Sequence, residues 1–480
     1  MMAPNEEELS TPDPFGHRFY RIALVSVIVV SFVLRILLAL VNREANDDHI
    51  EVARMILNEH RLPDKEECAE CFQPKLYHAA TALLFALFPN ATEESQITIA
   101  NIANSVLGML TILVIWRFAE RLPVQRHIKF LAVSLTAMNP SLIGINAQAT
   151  NDTLVIFCGV LTAYNAHLFL IDKKAYRIFL FTLSALLAIT TKGNGLVAVA
   201  AVVMALGILS HLLVRSRTGA NLFVPAFVCF LLVVPFAAVL NPLTQYRHNL
   251  ERYGSINVLA QTRPEFPQFF QKTYTAMAGV RSIADSFFTF RLMNMIAYPC
   301  INESDDSYPL HRTSFWSQLF GRAHFIHYDA HPPSWATTDP VVLNIGRIIL
   351  PLALIPTIVL LIGLASEIRF VFSHVMKTAT FFAETQGWFL VLFFAGYLAF
   401  AILYSLFFRE SGTMKAIVLY PALLTFPYFF AKGFGLIETK LRNHYVVSRM
   451  LVVVIFIVIS FYLFDVSSLI IHLHKLRFAT

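Results

Sequence analysis

Two adjacent carboxylates, Asp47 and Asp48, stand in the segment Asn46-Asp47-Asp48-His49-Ile50-Glu51-Val52-Ala53-Arg54, just after an apolar run. Adjacent carboxylates at a membrane mouth can hold an acceptor hydroxyl and take its proton, or share a divalent cation. If both face one cavity, their repulsion raises one pKa or recruits that cation. A plainer reading fits the same residues. Ile50, Ala53 and Ile56/Leu57 recur at helical spacing, with Asp47, Glu51 and Arg54 on the opposite face. That pattern describes a short helix lying apolar side down on a membrane, and two acids suit its N-terminus.

Four further places carry chemistry. Cys68-Ala69-Glu70-Cys71 precedes Gln73-Pro74-Lys75-Leu76-Tyr77-His78 and a second amphipathic stretch, Leu76 to Phe88. The Cys-x-x-Cys pair fits a disulfide, half a metal site or a redox motif. Without a second Cys pair a structural role is favoured, with Cys300 as an alternative partner. Lys75 is either a solvated lysine or a phosphate ligand at the membrane surface. Asn151-Asp152 opens an apolar run, Thr191-Lys192-Gly193 closes another, and Arg409-Glu410-Ser411-Gly412-Thr413-Met414-Lys415 separates two more. Asp152 also reads as a plain helix cap, and Lys192 as a lysine snorkelling to water. His324, His327, Asp329 and His331 could ligate zinc, but their spacing matches no specific pattern.

The elements that must position these residues are membrane spans. Hydrophobic residues make up 56% of the 480, and charged residues only 14%, against about 25% in soluble domains. Such a chain cannot clothe a water-facing surface. Apolar windows fall at 21–41, 97–117, 128–147, 152–171, 177–191, 195–214, 222–240, 345–365, 387–407, 414–432 and 448–470. At about 20 residues per crossing this predicts an all-α integral membrane protein with about 11 spans. Residues 1–17 are polar and the first run is long enough to be retained, so no cleaved leader is expected.

Lys and Arg occupy every second loop, which marks that side as cytoplasmic and residues 1–20 as a cytoplasmic N-terminus. Only the tail with Lys475 and Arg477 dissents, since eleven spans place it outside. Two long loops fall on the outer side, 42–96 and 241–344, dividing an N-terminal module (21–240) from a C-terminal one (345–480). The net charge of +6 lies in short loops rather than on one face, so no nucleic-acid partner is expected. No internal repeat and no nucleotide-binding glycine loop is apparent.

The order of an acidic pair after the first span, an amphipathic helix, Gln-Pro-x-Leu-Tyr, Asn-Asp at span four and Thr-Lys-Gly after span five resembles a known superfamily. It is that of the GT-C glycosyltransferases using polyprenyl-phosphate sugars, near the protein O-mannosyltransferases and the lipid A aminoarabinose transferases. The resemblance covers roughly residues 20–200. It implies a GT-C type bundle and an inverting transfer from a dolichyl- or undecaprenyl-type phosphate donor to a lipid, protein or glycan acceptor on the outer or lumenal face. Asp47 and Asp48 would engage the acceptor and act as base. Glu51, Asn151 and Asp152 would lie at its cavity, and Lys75, Lys192, Arg409 and Lys415 would hold the carrier phosphate. No cofactor is implied beyond a divalent cation at Asp47/Asp48. This chain has Asp-Asp where several relatives have Asp-Glu, and Gln73-Pro74-Lys75 where they commonly have Pro-Pro. A bacterial inner membrane and an endoplasmic reticulum membrane both fit. The alternative is a polytopic secondary transporter or lipid flippase, which would need ionisable residues in mid-span, and the predicted spans hold few.

Overall fold

The computed structural model describes residues 16–45, 47–68, 70–215, 223–256, 283–301, 313–328, 332–374, 385–408 and 414–478. A backbone in lipid has to satisfy its own N–H and C=O groups, and the apolar windows accordingly fold as helices. In chain order these are α1 (His17–Val41), α2 (His49–Glu59), α3 (Leu76–Ala86), α4 (Glu93–Ala119), α5 (Arg126–Ala137), α6 (Pro140–Asn146) and α7 (Asp152–Asp172). There follow α8 (Ala175–Thr191), α9 (Gly195–Arg215), α10 (Phe223–Val239), α11 (Asn241–Thr244), α12 (Tyr246–Tyr253), α13 (Ile283–Phe287), α14 (Leu292–Ala297) and α15 (Phe315–His324). The last four are α16 (Pro340–His374), α17 (Thr385–Phe408), α18 (Thr425–Lys440) and α19 (Tyr445–Phe478). Short 3-10 turns occupy Glu70–Phe72 and Ala416–Ala422.

Among the described residues six helices, α1, α4, α7, α16, α17 and α19, are long and apolar enough to cross a bilayer. Two bent pairs, α5 with α6 at 49° and the Ala416–Ala422 turn with α18 at 83°, bring the number to eight if each is one crossing. The windows at 177–191, 195–214 and 222–240 fold as α8, α9 and α10, whose apolar stretches are shorter. Length and composition therefore do not reach the expected eleven. The chain is a multi-pass membrane protein. On α1 the lipid-facing stripe is exposed (Phe19, Ile22, Val25, Val29, Val33, Leu37), while Leu24, Ile28, Ser31, Leu34 and Leu38 are buried.

Contacts at the helix ends sort them into two levels. At one level Tyr20 donates to Glu120 at 2.8 Å and His127 meets Glu438 at 3.0 Å. At the other Asn101 donates to the Asn42 carbonyl at 3.0 Å, Arg43 pairs with Glu94 at 2.8 Å and Arg477 reaches Glu94 at 3.2 Å. The dissenting basic tail thus ends beside the first long loop.

Two charges inside predicted spans were not expected. Arg35 in α1 is fully buried and donates to Asn146 Oδ1 at 3.1 Å and to the carbonyls of Ser31 and Ala137 at 3.0 and 3.1 Å. The Ala137 carbonyl is freed by the α5–α6 break, so the guanidinium satisfies a bend rather than lining a path. Asp465 in α19 is buried and accepts from the Ile326 N–H at 2.7 Å. One charge barely changes the mean of an apolar window, and both therefore escape a hydropathy reading.

Helices α16 and α18 cross where Gly363 and Gly433 face each other's backbone. A Cβ on Gly433 would collide with the Val359 carbonyl, and one on Gly363 with that of Phe429. Small residues let membrane helices approach this closely. Gly433→Ala should cost about 1–3 kcal/mol by overpacking, read as a lower unfolding midpoint in detergent. Gly207→Ala, where nothing lies within 4 Å, should leave that midpoint unchanged or raise it.

Candidate active site

The first long loop folds back on the bundle. Helix α2 does not lie on a membrane with its apolar side down, contrary to the sequence reading. Ile50 and Ala53 are buried with Ala82 and Phe85 of α3, Ala100 of α4 and Ala149. The spacing that suggested lipid contact instead builds a small protein core.

This core fixes the start of α2. Asp47 has φ +52°, a left-handed conformation that Asp tolerates better than most residues, and Asp48 occupies the N-cap. Both are exposed, as is Glu51 one turn on. Next to them His49 is buried, with its Nδ1 3.0 Å from Nε2 of His78 on α3. Burial pushes the His49 imidazole down to about 4 and holds His78 well below its ordinary value, so both stay neutral near pH 7.

Cys68 and Cys71 form a disulfide, and Cys300 is a free, buried thiol elsewhere. The bridge ties the 3-10 turn that carries Glu70, whose Oε2 lies 3.9 Å from Nδ1 of His49. Closing so short a loop limits the unfolded chain modestly. Cys71→Ser should cost about 2 kcal/mol, seen as a lower unfolding midpoint.

Burial pushes the Glu70 carboxyl up to about 7. Asp47, Asp48 and Asp152 add to the rise, and Lys192 opposes it. His49 feels Asp47, Lys192, Asp152 and Lys75 in turn. Acids from the first loop and from α7 therefore share one field with two lysines. Asp152 takes the first position of α7, and Lys192, just past α8, sets its Nζ 2.6 Å from Asp152 Oδ1. Both side chains are partly exposed, at 14% and 21%, so solvent still reaches the pair. Asn151 is buried and donates weakly to the Thr191 carbonyl at 3.5 Å. Asn104 of α4 anchors the preceding turn through the carbonyls of Gln148 and Thr150 at 2.6 and 2.8 Å.

Lys75 is not at a membrane surface. It is fully buried, its Nζ bonds the Cys71 carbonyl, and its backbone N–H donates to Leu243 at 2.7 Å. The opening of the second long loop thereby clamps the first. Lys415 precedes the Ala416–Ala422 turn. Arg409 lies outside the described residues. The structure thus gathers Asp47, Asp48, Asp152, Lys192 and Lys75 in one neighbourhood and adds Glu70, His49 and His78, with Glu51 exposed on the first turn of α2. Glu70 was passed over because a lone acid between two cysteines gives no pattern, although Cys-x-Glu-Cys placed it in full view.

The histidines of the second loop have another task. His324 bonds Tyr462 at 2.5 Å and Thr357 at 3.1 Å, and His327 bonds Ser468 and the Trp335 carbonyl, each at 3.2 Å. They dock the loop on α16 and α19, and Asp329 and His331 lie outside the described residues. Among the described residues no three His, Cys, Asp or Glu converge to hold a metal ion. A cation shared by Asp47 and Asp48 would have to complete its shell with other oxygens.

The sequence matches no protein-family model and no curated protein. Among solved structures the chain is similar to the oligosaccharyltransferase of Archaeoglobus fulgidus, at 13% identity and a TM-score of 0.49. That alignment covers 93% of this chain and 55% of the other, so the chain spans about half the length of the transferase. A second structure, described as archaeal AglB from the same organism with an inhibitory peptide and a dolichol-phosphate, gives 12% identity and 0.46, with 93% and 55% covered. ArnT from Cupriavidus metallidurans bound to undecaprenyl phosphate gives 16% and 0.32, with 89% and 80% covered.

Proposed function

We propose that the protein is a membrane glycosyltransferase that moves a sugar from a polyprenyl-phosphate donor to an acceptor at the first-loop face. The observation that carries this reading is the convergence of Asp47, Asp48, Asp152 and Lys192 at one end of the bundle. The order of sequence motifs supports it independently. A sugar held through phosphate needs only a base, cations and positioning, because a neutralised phosphate is a good leaving group.

In this reading the donor's tail lies in lipid and its phosphate reaches the lysines. The acceptor's heteroatom attacks the anomeric carbon while the bond to the phosphate oxygen breaks, and that electron pair stays on the phosphate. The acceptor's proton passes to the acidic pair Asp47–Asp48. One displacement inverts the anomeric centre. Lys192 exchanges its Asp152 contact for the phosphate, with Arg409 and Lys415 completing the carrier site. Lys75, buried under Cys71, contributes its field. The basic loops set the first-loop face outside or in a lumen.

The experiment compares glycolipid and glycoprotein pools by mass spectrometry in cells with and without the gene. Loss of one glycan class, with accumulation of its polyprenyl-phosphate sugar, is the expected result. Unchanged pools would contradict the reading.

A further inference from the structure

We infer that Tyr77 and His78 of α3 are positioning residues of the reaction: through Asn104 and His49 they hold the Asp152–Lys192 pair and the acidic pair Asp47–Asp48 at one fixed separation. The inference deepens the proposed transferase reading and rests on it. The two arms of this brace start from neighbouring residues on the first turn of α3. One arm runs to the acidic pair. Nε2 of His78 lies 3.0 Å from Nδ1 of His49, the residue joined directly to Asp48 at the start of α2. The other arm runs to the lysine pair. The Tyr77 hydroxyl meets Asn104 Nδ2 at 3.2 Å, and the same amide donates to the carbonyls of Gln148 and Thr150. The Thr150 hydroxyl in turn donates to Asp152 Oδ2 at 3.2 Å, and the other oxygen of that carboxylate holds Lys192.

Burial makes both arms stiff. His49, Tyr77, His78 and Asn104 are each 4% exposed or less, so water does not replace a lost partner. Two ring nitrogens 3.0 Å apart share one hydrogen, one ring donating and the other accepting. That bond has a direction, whereas the apolar contacts of Ile50 and Ala53 with α3 and α4 have none. It therefore fixes the rotation of α2 at the end where Asp47 and Asp48 enter it. The ring of Tyr77 stands edge-on to both imidazoles, its centroid 6.0 Å from that of His49 and 5.6 Å from that of His78. A single displacement needs the acceptor and its base on one side of the anomeric carbon and the cation for the leaving phosphate on the other. The separation of acids and lysine is thus the quantity that sets the rate, with a tolerance of about 0.5 Å.

Two measurements on the full chain in lipid nanodiscs test this. The first is backbone hydrogen–deuterium exchange, which needs no substrate. His78→Leu should raise exchange over residues 49–54 at least about tenfold, because a buried ring nitrogen of His49 loses its partner. Tyr77→Leu should raise it over 148–153, and His49→Leu should repeat the His78→Leu result from the other ring. The second follows polyprenyl phosphate released, per folded molecule, from polyprenyl-phosphate mannose and from polyprenyl-phosphate aminoarabinose. His78→Leu should lower kcat about 10- to 100-fold and leave the donor KM within about twofold. His78→Gln, whose amide can meet His49 Nδ1 again, should recover most of the rate and of the protection. In an Asp47→Asn chain, His78→Leu should cost less than about a further twofold, because it acts through the acidic pair. A merely structural residue would lower the rate equally in both backgrounds, and that result overturns the inference. Unchanged exchange over 49–54 in His78→Leu overturns it whichever sugar is used. Failure of both donors in the wild type, with exchange rising as expected in the variants, counts against the transferase reading instead.

Discussion

An Asp47→Asn protein is expected to fold and to lose sugar transfer by about 10²- to 10⁴-fold, the range for removing a positioned base. The fold should survive because Asp47 is exposed. Asparagine also tolerates the left-handed backbone at φ +52°. The amide cannot take a proton, so kcat falls rather than affinity for the donor. Released polyprenyl phosphate per minute, together with an unchanged unfolding midpoint, reads both halves. Full activity in this variant would remove Asp47 from the assignment.

Lys192→Met carries the second large effect. Here the lysine neutralises Asp152 at 2.6 Å before it can serve a phosphate. Removing it leaves a partly buried carboxylate unpaired and takes one cation from the leaving group. A loss of about 10²- to 10³-fold in kcat/KM is expected, comparable to deleting one stabilising donor at a developing anion. The pair is partly solvated, so its share of stability is smaller than that of a fully buried one. Restoring neutrality with Asp152→Asn in the same chain should recover the unfolding midpoint and not the rate. Recovery of both would mean that Lys192 only balances Asp152.

Much of this could be read from the residues. The apolar windows gave the helices nearly one for one, since the bilayer forces each to satisfy its own backbone. Arg477, the dissent in the loop-charge pattern, lies beside Glu94. What stayed hidden was tertiary. The stripe Ile50, Ala53 and Ile56/Leu57 has one periodicity whether it meets lipid or protein, and here it meets α3 and α4. Lys75 reads as a surface cation until the second loop covers it at Leu243. Glu70 gains its meaning only from Asp47, Asp152 and Lys192, which are remote in the chain. Arg35 and Asp465 vanish into window averages, although each anchors a loop or bend. The crossing count depended on α8, α9 and α10, whose short apolar stretches hydropathy alone places poorly.

The most direct test of sugar transfer from a polyprenyl-phosphate donor is the anomeric configuration of the product formed by the purified protein. Carbon-13 at the donor's anomeric position, followed by NMR, should give a glycoside of the opposite configuration, with one polyprenyl phosphate released per sugar moved. A product of retained configuration, or no polyprenyl phosphate from either donor, would contradict the account.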